Sequence, residues 1–300
     1  MDERYLNQAK LVIDVLQYVA KENCFALKGG TAINLFYQNL PRLSVDIDLT
    51  YIGFEPRTEA CNNINNALKR IYSALKTNGY KAKIQGNDIE KKIVCSNSEA
   101  TIKFEPNYVI RGYTIKPEIK TVCPEVEDKI GFVEIQVVSS QELYGGKICA
   151  ALDRQHPRDL FDIKEYFTNN EFDKELTKGF ITMLLSHDKP LHETLNPNIK
   201  EQTEIFEKQF VGMTDKIFTY EEHTETLKNL ISTVKSNILP YKDLLLDFVS
   251  LKSDLKEFNI TNLEKLPAIQ WKLQNLNKLR ENNPAKFKEQ YDKLNDYFQN

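Results

Sequence analysis

The spacing of apolar and polar residues divides this chain of 300 residues into a part with strands and helices and a part with helices alone. Apolar side chains recur at helical spacing over 3–22 and 58–78. They alternate with polar side chains in the segments that predict strands, which are 45–51, 80–86, 91–96, 100–106 and 132–138. Beyond about residue 170 this alternation stops, and the main predicted helices are 222–239, 241–257, 263–281 and 284–299.

The pattern therefore predicts an α/β (α+β) protein with two domains. Residues 1–170 are expected to form a domain around a mixed sheet, and residues 171–300 a mainly helical domain. Within the first domain, Cys24–Leu27 is a short apolar run typical of a buried strand. Lys28–Thr31 is predicted to be a turn, and Ala32–Gln38 a short helix.

Composition excludes several classes of protein. A net charge of −3 excludes a strongly basic coat for nucleic acid, although a local basic patch is compatible with it. The five cysteines are odd in number and form no C-x-x-C pair, so we expect free thiols rather than a zinc site. The N-terminus has no apolar signal-peptide core, and no apolar run is long enough to span a bilayer. A cytoplasmic protein without a membrane partner is predicted.

A glycine-rich turn and a pair of aspartates are the first candidates for chemistry. Gly29 and Gly30 would let the backbone approach a phosphate closely, and Thr31 adds a hydroxyl donor. Asp46 and Asp48 are two residues apart in a predicted strand, so both carboxylates face the same side. Mg²⁺ relieves the repulsion between such carboxylates, and it prefers oxygen ligands together with substrate phosphates. Alone, each motif has an ordinary structural explanation, as a tight turn or as a solvated edge strand.

A third carboxylate is expected on a neighbouring strand. Glu105 is the best candidate, because it alternates with the apolar residues Ile102 and Phe104 in the predicted strand 100–106. It would bind the metal or act as the base on the attacking hydroxyl. Glu134 is the rival candidate, and a simple exposed strand glutamate is the alternative for Glu105.

A later segment supplies a lysine and further acids. Ser139 and Glu142 form a capping-box motif that opens a helix, and Lys147 lies in the middle of that helix among small residues. Glycines within a helix cost about 1 kcal/mol each relative to alanine, which indicates that something approaches closely there. Lys147 is therefore a candidate for binding a triphosphate.

The next predicted helix contains Arg158, Asp159 and Asp162. Asp159 and Asp162 share a helical face, whereas Arg158 and Asp162 are four residues apart, so a simple ion pair between them is the structural alternative. The spacing does not decide which aspartate is functional.

The order of these motifs carries a resemblance. A strand, a Gly-Gly-Thr turn, a helix and a D-x-D strand about 15 residues later resemble the polymerase-β-like nucleotidyltransferases. Leu27–Phe36 and Pro41–Leu49, followed by Glu142, Lys147 and Arg158–Asp162, resemble more closely the AbiEii/AbiGii family of nucleotidyltransferase toxins. Threonine stands at position 31, where the superfamily usually has serine.

The resemblance implies a bacterial toxin with a cognate antitoxin, linked to abortive phage infection. Some family members add nucleotides to the 3′ acceptor end of tRNA. The catalytic residues implied are Asp46, Asp48, Lys147 and Asp159 or Asp162, with Mg²⁺ as cofactor and an NTP as substrate. The residues implied to bind nucleotide are Gly29, Gly30, Thr31, Lys147 and Arg158. Arg42 and Ser44 are expected to help position the loop before the D-x-D pair.

Two other functions compete with an RNA-modifying toxin. One is a nucleotidyltransferase that modifies a protein side chain or a small molecule such as an aminoglycoside. The other is a protein that binds nucleotide or a partner without catalysis, which the intact glycine and aspartate motifs disfavour. The lysine-rich helices after residue 250 are most simply solvated faces, but they would also suit an RNA-binding groove.

Overall fold

The computed structural model of the chain describes residues 1–299. Its strands are β1 Phe25–Lys28, β2 Ile47–Tyr51, β3 Lys81–Gly86, β4 Lys91–Ser96, β5 Thr101–Asn107, β6 Glu118–Thr121 and β7 Glu134–Val137. Its helices in the first half are α1 Glu3–Val19, α2 Gly29–Ala32, α3 Arg57–Thr77, α4 Pro124–Lys129, α5 Ser140–Arg154 and α6 Pro157–Asn169. Those in the second half are α7 Lys174–Ser186, α8 Leu191–Leu195, α9 Thr203–Gln209, α10 Tyr220–Ile238, α11 Lys242–Val249, α12 Pro267–Asn282 and α13 Pro284–Gln299.

All seven strands belong to one mixed sheet in the order β3-β4-β5-β2-β1-β7-β6. The pairs β2–β5 and β1–β7 are parallel, and the other neighbours are antiparallel. This confirms the predicted α/β fold with a mixed sheet. The register places Lys28 opposite Asp48 and Asp48 opposite Glu105, so three charged residues lie side by side across the central strands.

Apolar residues at helical spacing explain how the sheet is covered. Helices α1 and α3 pack against each other and against the strands β3, β4 and β5. Helix α5 follows β7 and packs against α2, α6 and α7, which brings its middle turns close to the end of β1. Buried apolar side chains form one cluster that continues from the sheet into the helical half. The division into domains 1–170 and 171–300 stays a prediction.

Several predicted element boundaries are wrong. The helix predicted for 241–257 ends at Val249, because Leu251 adopts a left-handed φ of 62° and only a short 3₁₀ turn follows. In place of the turn predicted at Lys28–Thr31, Lys28 ends β1 and Gly29 begins α2, which continues as a π-helix over Ile33–Tyr37. Strand β6 and helix α4 were not predicted, since β6 has only four residues, three of them exposed.

All five cysteines are free thiols, as predicted. Within residues 1–299, no helix is both long and apolar enough to cross a membrane.

Candidate active site

The Gly-Gly pair forms the first turn of α2, directly after the central strand β1. Gly29 has a φ of +73°, a left-handed conformation that favours glycine. A Cβ atom on Gly29 would lie only 3.0 Å from Cγ of Asp48, and closer still to its carboxylate oxygen Oδ2. The missing side chain therefore lets the backbone at the start of α2 lie against the aspartate.

The loop before the D-x-D pair is fastened to the second glycine and to Thr31. A Cβ atom on Gly30 would lie 2.8 Å from the Arg42 guanidinium and 3.0 Å from the Ser44 hydroxyl. The Thr31 hydroxyl is buried, donates to the backbone oxygen of Asp46 and lies 3.0 Å from the Ser44 Oγ, with which it shares a second hydrogen bond. These contacts agree with the positioning role expected of Arg42 and Ser44. The Thr31 hydroxyl faces this loop.

The three predicted carboxylates lie on one side of the central strands. Ile47 and Leu49 of β2 are buried, and Asp48 between them points to the opposite face, as the alternation predicted. Asp46 lies one residue before the strand begins. Glu105 of β5 is the direct neighbour of Asp48, whereas Glu134 is exposed at the far end of β7, opposite Thr121. The structure thus brings Glu105, and not Glu134, to the two aspartates.

Lysine side chains occupy much of the space around Glu105. The Lys103 ammonium lies 2.7 Å from one Glu105 oxygen and 3.9 Å from Asp46, and the Lys92 ammonium lies 3.2 Å from the other Glu105 oxygen. Burial raises the pKa of Glu105, but Lys103 and Lys92 outweigh it and hold that pKa below its ordinary value. Across residues 1–299, no three His, Cys, Asp or Glu side chains are arranged to hold a metal ion by themselves.

Lys147 is held by both acids of the Arg158–Asp162 segment. Its ammonium lies 2.8 Å from Asp159 Oδ1 and 3.0 Å from Asp162 Oδ2, and all three side chains are buried. Asp162 also accepts two hydrogen bonds from the Arg42 guanidinium, at 2.7 Å and 2.6 Å. Asp159 and Asp162 therefore both fix the position of the Lys147 ammonium.

Two arginines complete this charged layer. Arg154, at the end of α5, donates to Asp159 with an Nη2–Oδ1 distance of 2.9 Å. Arg158 does not form the ion pair with Asp162 that its spacing allowed; its guanidinium lies 3.7 Å from Asp46 Oδ2 instead. Asp162 is unavailable to Arg158 because Arg42 already binds it from the other side.

The pKa values of the buried acids are shifted in opposite directions. Burial raises the pKa of Asp48, and the nearby Lys28 offsets only part of that rise. Burial also raises the pKa of Asp159, but the charges of Lys147 and Arg154 outweigh this effect and hold that pKa below its ordinary value. In the same way, Arg42 and Lys147 outweigh the effect of burial on Asp162 and hold its pKa low. Asp159 and Asp162 are thus ionised, and their negative charges fix cations around the site.

A cavity of about 200 Å³ lies between the start of α2, Asp48 and helix α5. Lys28, Lys147 and Arg154 give it a cationic wall, and the helix start supplies backbone N–H groups. The rest of its lining is mainly apolar and includes Ile110, Val138, Leu143, Ala150 and Met183, together with the polar residues Thr50 and Glu142. A cavity with one cationic wall and a mainly apolar remainder matches the two chemistries of a nucleotide, its phosphates and its base.

The two glycines inside α5 have different surroundings. A Cβ atom on Gly145 would lie 2.6 Å from the backbone nitrogen of Phe180, so Gly145 lets α5 and α7 pack closely. A Cβ atom on Gly146 would meet only the Met183 side chain, at 3.7 Å, and Gly146 lines the cavity. The close approach predicted from the sequence therefore occurs at Gly145, where helix α7 packs against α5. Gly146 instead leaves space in the cavity.

Sequence reasoning missed Lys28 and Arg154 as residues of this site. Lys28 lies beside Asp48 in the sheet, and burial lowers its pKa although Asp48 partly offsets that effect. Its position between a buried strand and the glycine pair is the signal that points to the site. Arg154 is five residues before Asp159 and in a different helix, so helical spacing gave no indication of the contact.

Comparison with known proteins agrees with this geometry. A family model described as "Nucleotidyl transferase AbiEii toxin, Type IV TA system" matches residues 11–275. The chain belongs to the AbiEii nucleotidyltransferase toxin family. The match includes every candidate site residue, from Gly29 to Asp162. A search of curated proteins finds no match.

A solved structure shows that the fold is shared as well. The MenT4 nucleotidyltransferase toxin Rv2826c from Mycobacterium tuberculosis H37Rv aligns with a TM-score of 0.55 at 14% sequence identity. The alignment covers 91% of this chain and 93% of that one, so the helical half is part of the common fold. This AbiEii toxin is therefore a nucleotidyltransferase of a type IV toxin–antitoxin system.

Proposed function

We propose that this AbiEii toxin is a Mg²⁺-dependent enzyme that transfers a nucleoside monophosphate from an NTP to the 3′ end of tRNA. The observation that carries the proposal is the cavity beside Asp48, where a helix N-terminus and three cationic side chains converge. Fixed N–H groups and cations of this kind bind polyphosphates and stabilise the negative charge that develops during phosphoryl transfer. Gly29, Gly30, Lys147 and Arg158 are the proposed nucleotide-binding residues predicted from sequence; Lys28 and Arg154 are added by the structure.

Thr31 has a different proposed role. It was predicted to hold phosphates through its hydroxyl, but that hydroxyl is buried and hydrogen-bonded to the loop at Ser44 and Asp46. We assign it the positioning of the D-x-D pair, while its backbone belongs to the first turn of α2.

The residues present fit Mg²⁺. Magnesium is usually held by one or two carboxylates together with substrate phosphates and water, rather than by a cage of protein ligands. Asp46 and Asp48 supply two such carboxylates, and Asp48 lines the cavity in which the phosphates are proposed to bind. When bound there, the metal would neutralise charge on the phosphates. Glu105 is proposed as a third acid of the metal site; its lowered pKa keeps it ionised and makes it a poor base.

The proposed reaction is an in-line displacement at the α-phosphorus of the NTP. The oxygen of the acceptor's 3′ hydroxyl forms a new P–O bond, the bond to the bridging oxygen breaks, and pyrophosphate leaves with that electron pair. The hydroxyl proton is lost to solvent or to a nearby carboxylate. Lys147, fixed by Asp159 and Asp162, holds its charge in place without reorganisation, which is how preorganised cations lower such barriers.

Transfer of label identifies the acceptor. The toxin is incubated with each NTP labelled at the α-phosphate, Mg²⁺ and total tRNA, and the RNA and protein fractions are counted separately. We expect label in RNA, loss of transfer with EDTA and with Asp48→Asn, and normal transfer with Asp88→Asn, which removes an exposed aspartate from the β3–β4 turn. Label found only in protein, or only in an added aminoglycoside, would favour the alternative acceptors.

The biological setting is proposed from the family. Expression in bacteria is expected to arrest growth, Asp46→Ala is expected to abolish the arrest, and co-expression of the cognate antitoxin is expected to relieve it. A role in abortive phage infection and a cytoplasmic location belong to the same proposal. Growth that continues unchanged on expression of the wild-type toxin would contradict it.

A further inference from the structure

The helical half contains a cavity that nucleotide binding does not use. It has a volume of about 740 Å³, within the range of roughly 300–1,000 Å³ that is common for ligand sites. Its walls come from the end of α5, from α8, α10 and α13, and from the chain that follows α8. A cavity of this size between packed helices is large enough for a ligand other than the nucleotide at Asp48.

The helical cavity adjoins a second cavity beside the active site. This second cavity has a volume of about 420 Å³, and its lining includes Lys28, Asp48 and Glu105 as well as Asp153 and His187. Asp153 also lines the helical cavity, so the two cavities meet at this residue. The helical cavity therefore lies next to the space that contains the carboxylates where transfer is proposed.

The lining of the helical cavity suits a nucleotide chain. It includes the four lysines Lys189, Lys200, Lys235 and Lys293. The amides Asn196 and Asn198 and the rings of His192 and Tyr297 lie among them. Ammonium groups bind phosphates, amides bind base edges, and aromatic rings stack on bases.

The acidic residues in the lining define the kind of ligand. The lining also includes the acidic residues Asp153, Glu193 and Asp296. The cavity is therefore not uniformly basic, unlike a groove that binds a nucleic-acid duplex through charge alone. The Asp153 carboxylate is bound by Lys189, and the Lys200 ammonium donates to the Asp153 backbone oxygen at 2.6 Å. Lys235 lies over the Tyr297 ring, 5.3 Å from its centroid. A mixed lining of this kind favours a few specific contacts with a single strand.

We propose that this helical cavity is the acceptor site, and that it binds the single-stranded 3′ end of the RNA and directs its terminal hydroxyl toward Asp48. The inference rests on the proposed function, because it requires an RNA acceptor. RNA is favoured over a protein segment because four lysines line the cavity and because the adjoining cavity contains Asp48, which the acceptor hydroxyl has to reach. Lys200 and Lys235 are the proposed phosphate contacts.

The test compares two double variants that remove equal charge. Lys200→Ala/Lys235→Ala removes the proposed contacts, and Lys10→Ala/Lys69→Ala removes two exposed lysines from α1 and α3 as the control. Fluorescence anisotropy measures the Kd for a labelled single-stranded RNA with the sequence of a tRNA acceptor end, over a range of salt concentrations. The affinity for NTP is measured in parallel, and circular dichroism confirms that each variant is folded.

The expected magnitude follows from counterion release. Each phosphate contact with a single strand contributes a slope of about 0.7 in log K against log salt, or about fivefold in affinity at 0.1 M salt relative to 1 M. Loss of two contacts is therefore expected to raise the Kd for RNA about 25-fold and to reduce the salt slope by about 1.4. The affinity for NTP should not change, and the control variant should bind RNA like the wild type.

The outcomes separate this inference from the proposed function. If the wild type transfers no label to any RNA, the proposed function fails. If it transfers label and the cavity variant binds and labels RNA as well as the control, the acceptor site lies elsewhere and the inference is overturned. A cavity variant that keeps its RNA affinity and its salt slope overturns it too, even if its transfer activity falls.

Discussion

The buried contact between Arg42 and Asp162 allows a quantitative prediction for Asp162→Asn. Asp162 is fully buried, Arg42 is 2% exposed, and two hydrogen bonds of 2.7 Å and 2.6 Å join them. The substitution preserves shape but removes the charge, so it leaves the Arg42 guanidinium buried without its counter-ion. Breaking one side of a buried ion pair costs about 3–5 kcal/mol, and we expect the free energy of unfolding to fall by that amount.

A double variant separates this penalty from the contact itself. Arg42→Met is expected to destabilise by a similar amount, because it leaves Asp162 without its closest cation. In Arg42→Met/Asp162→Leu neither buried charge remains from the pair, and Lys147 keeps its contact with Asp159. The loss should therefore be several kcal/mol smaller than the sum of the two single losses. Nucleotide transfer should not recover, since Lys147 has lost one of its two anchors.

Urea unfolding followed by fluorescence and circular dichroism gives the free energies, and equal m-values show that the variants unfold in the same way. Single losses below about 1 kcal/mol, or losses that simply add, would show that the buried Arg42–Asp162 pair does not carry this energy.

The same contact should make the stability of the wild type depend on pH. The pKa of Asp162 is held low in the folded state, so its stabilising contribution is present above about pH 4 and is lost as pH falls through the folded pKa. Asp162→Asn should weaken that dependence.

Glycine substitutions provide the remaining predictions. Gly29→Ala should abolish transfer and should destabilise the protein more than Gly79→Ala does. Both glycines have a positive φ, of 73° and 85°, but only at Gly29 would a Cβ atom meet Asp48. Equal effects of the two substitutions in unfolding and transfer assays would contradict this. Gly145→Ala should lower the thermal midpoint, as its Cβ meets the backbone of α7. Gly146→Ala should leave that midpoint unchanged or raise it, because alanine favours a helix over glycine by about 1 kcal/mol. The KM for NTP should rise in this variant, because the added methyl group narrows the cavity. An unchanged KM would argue against nucleotide binding in this cavity.

The sequence was informative where local pattern and chemistry agree. The alternation around Asp48 predicted its strand and that its side chain lies on the face opposite to Ile47 and Leu49. The motif order led to the family that the comparison confirms. The Glu105 strand was also predicted, and the register places that residue next to Asp48. These features depend on neighbours in the chain, which periodicity reports directly.

The contacts between distant segments were not accessible in this way. Arg42 and Asp162 are 120 residues apart, so nothing in their spacing indicated that Asp162 would pair with Arg42 rather than with Arg158. The start of α2 was predicted as a turn, because glycines usually favour turns over helices. Its helical conformation depends on packing against β2 and α5, which the local sequence does not encode.

The site around Asp46 and Asp48 is proposed to transfer a nucleotide and to release pyrophosphate. This reaction can be followed by supplying the toxin with tRNA, Mg²⁺ and the preferred NTP, labelled either at the α-phosphate or at the γ-phosphate. We expect α-label to enter RNA, γ-label to appear only in pyrophosphate, and Asp48→Asn to lower both rates by about 100-fold or more. Transfer of the γ-label to an acceptor, or full activity in Asp48→Asn, would show that this site does not carry out the reaction.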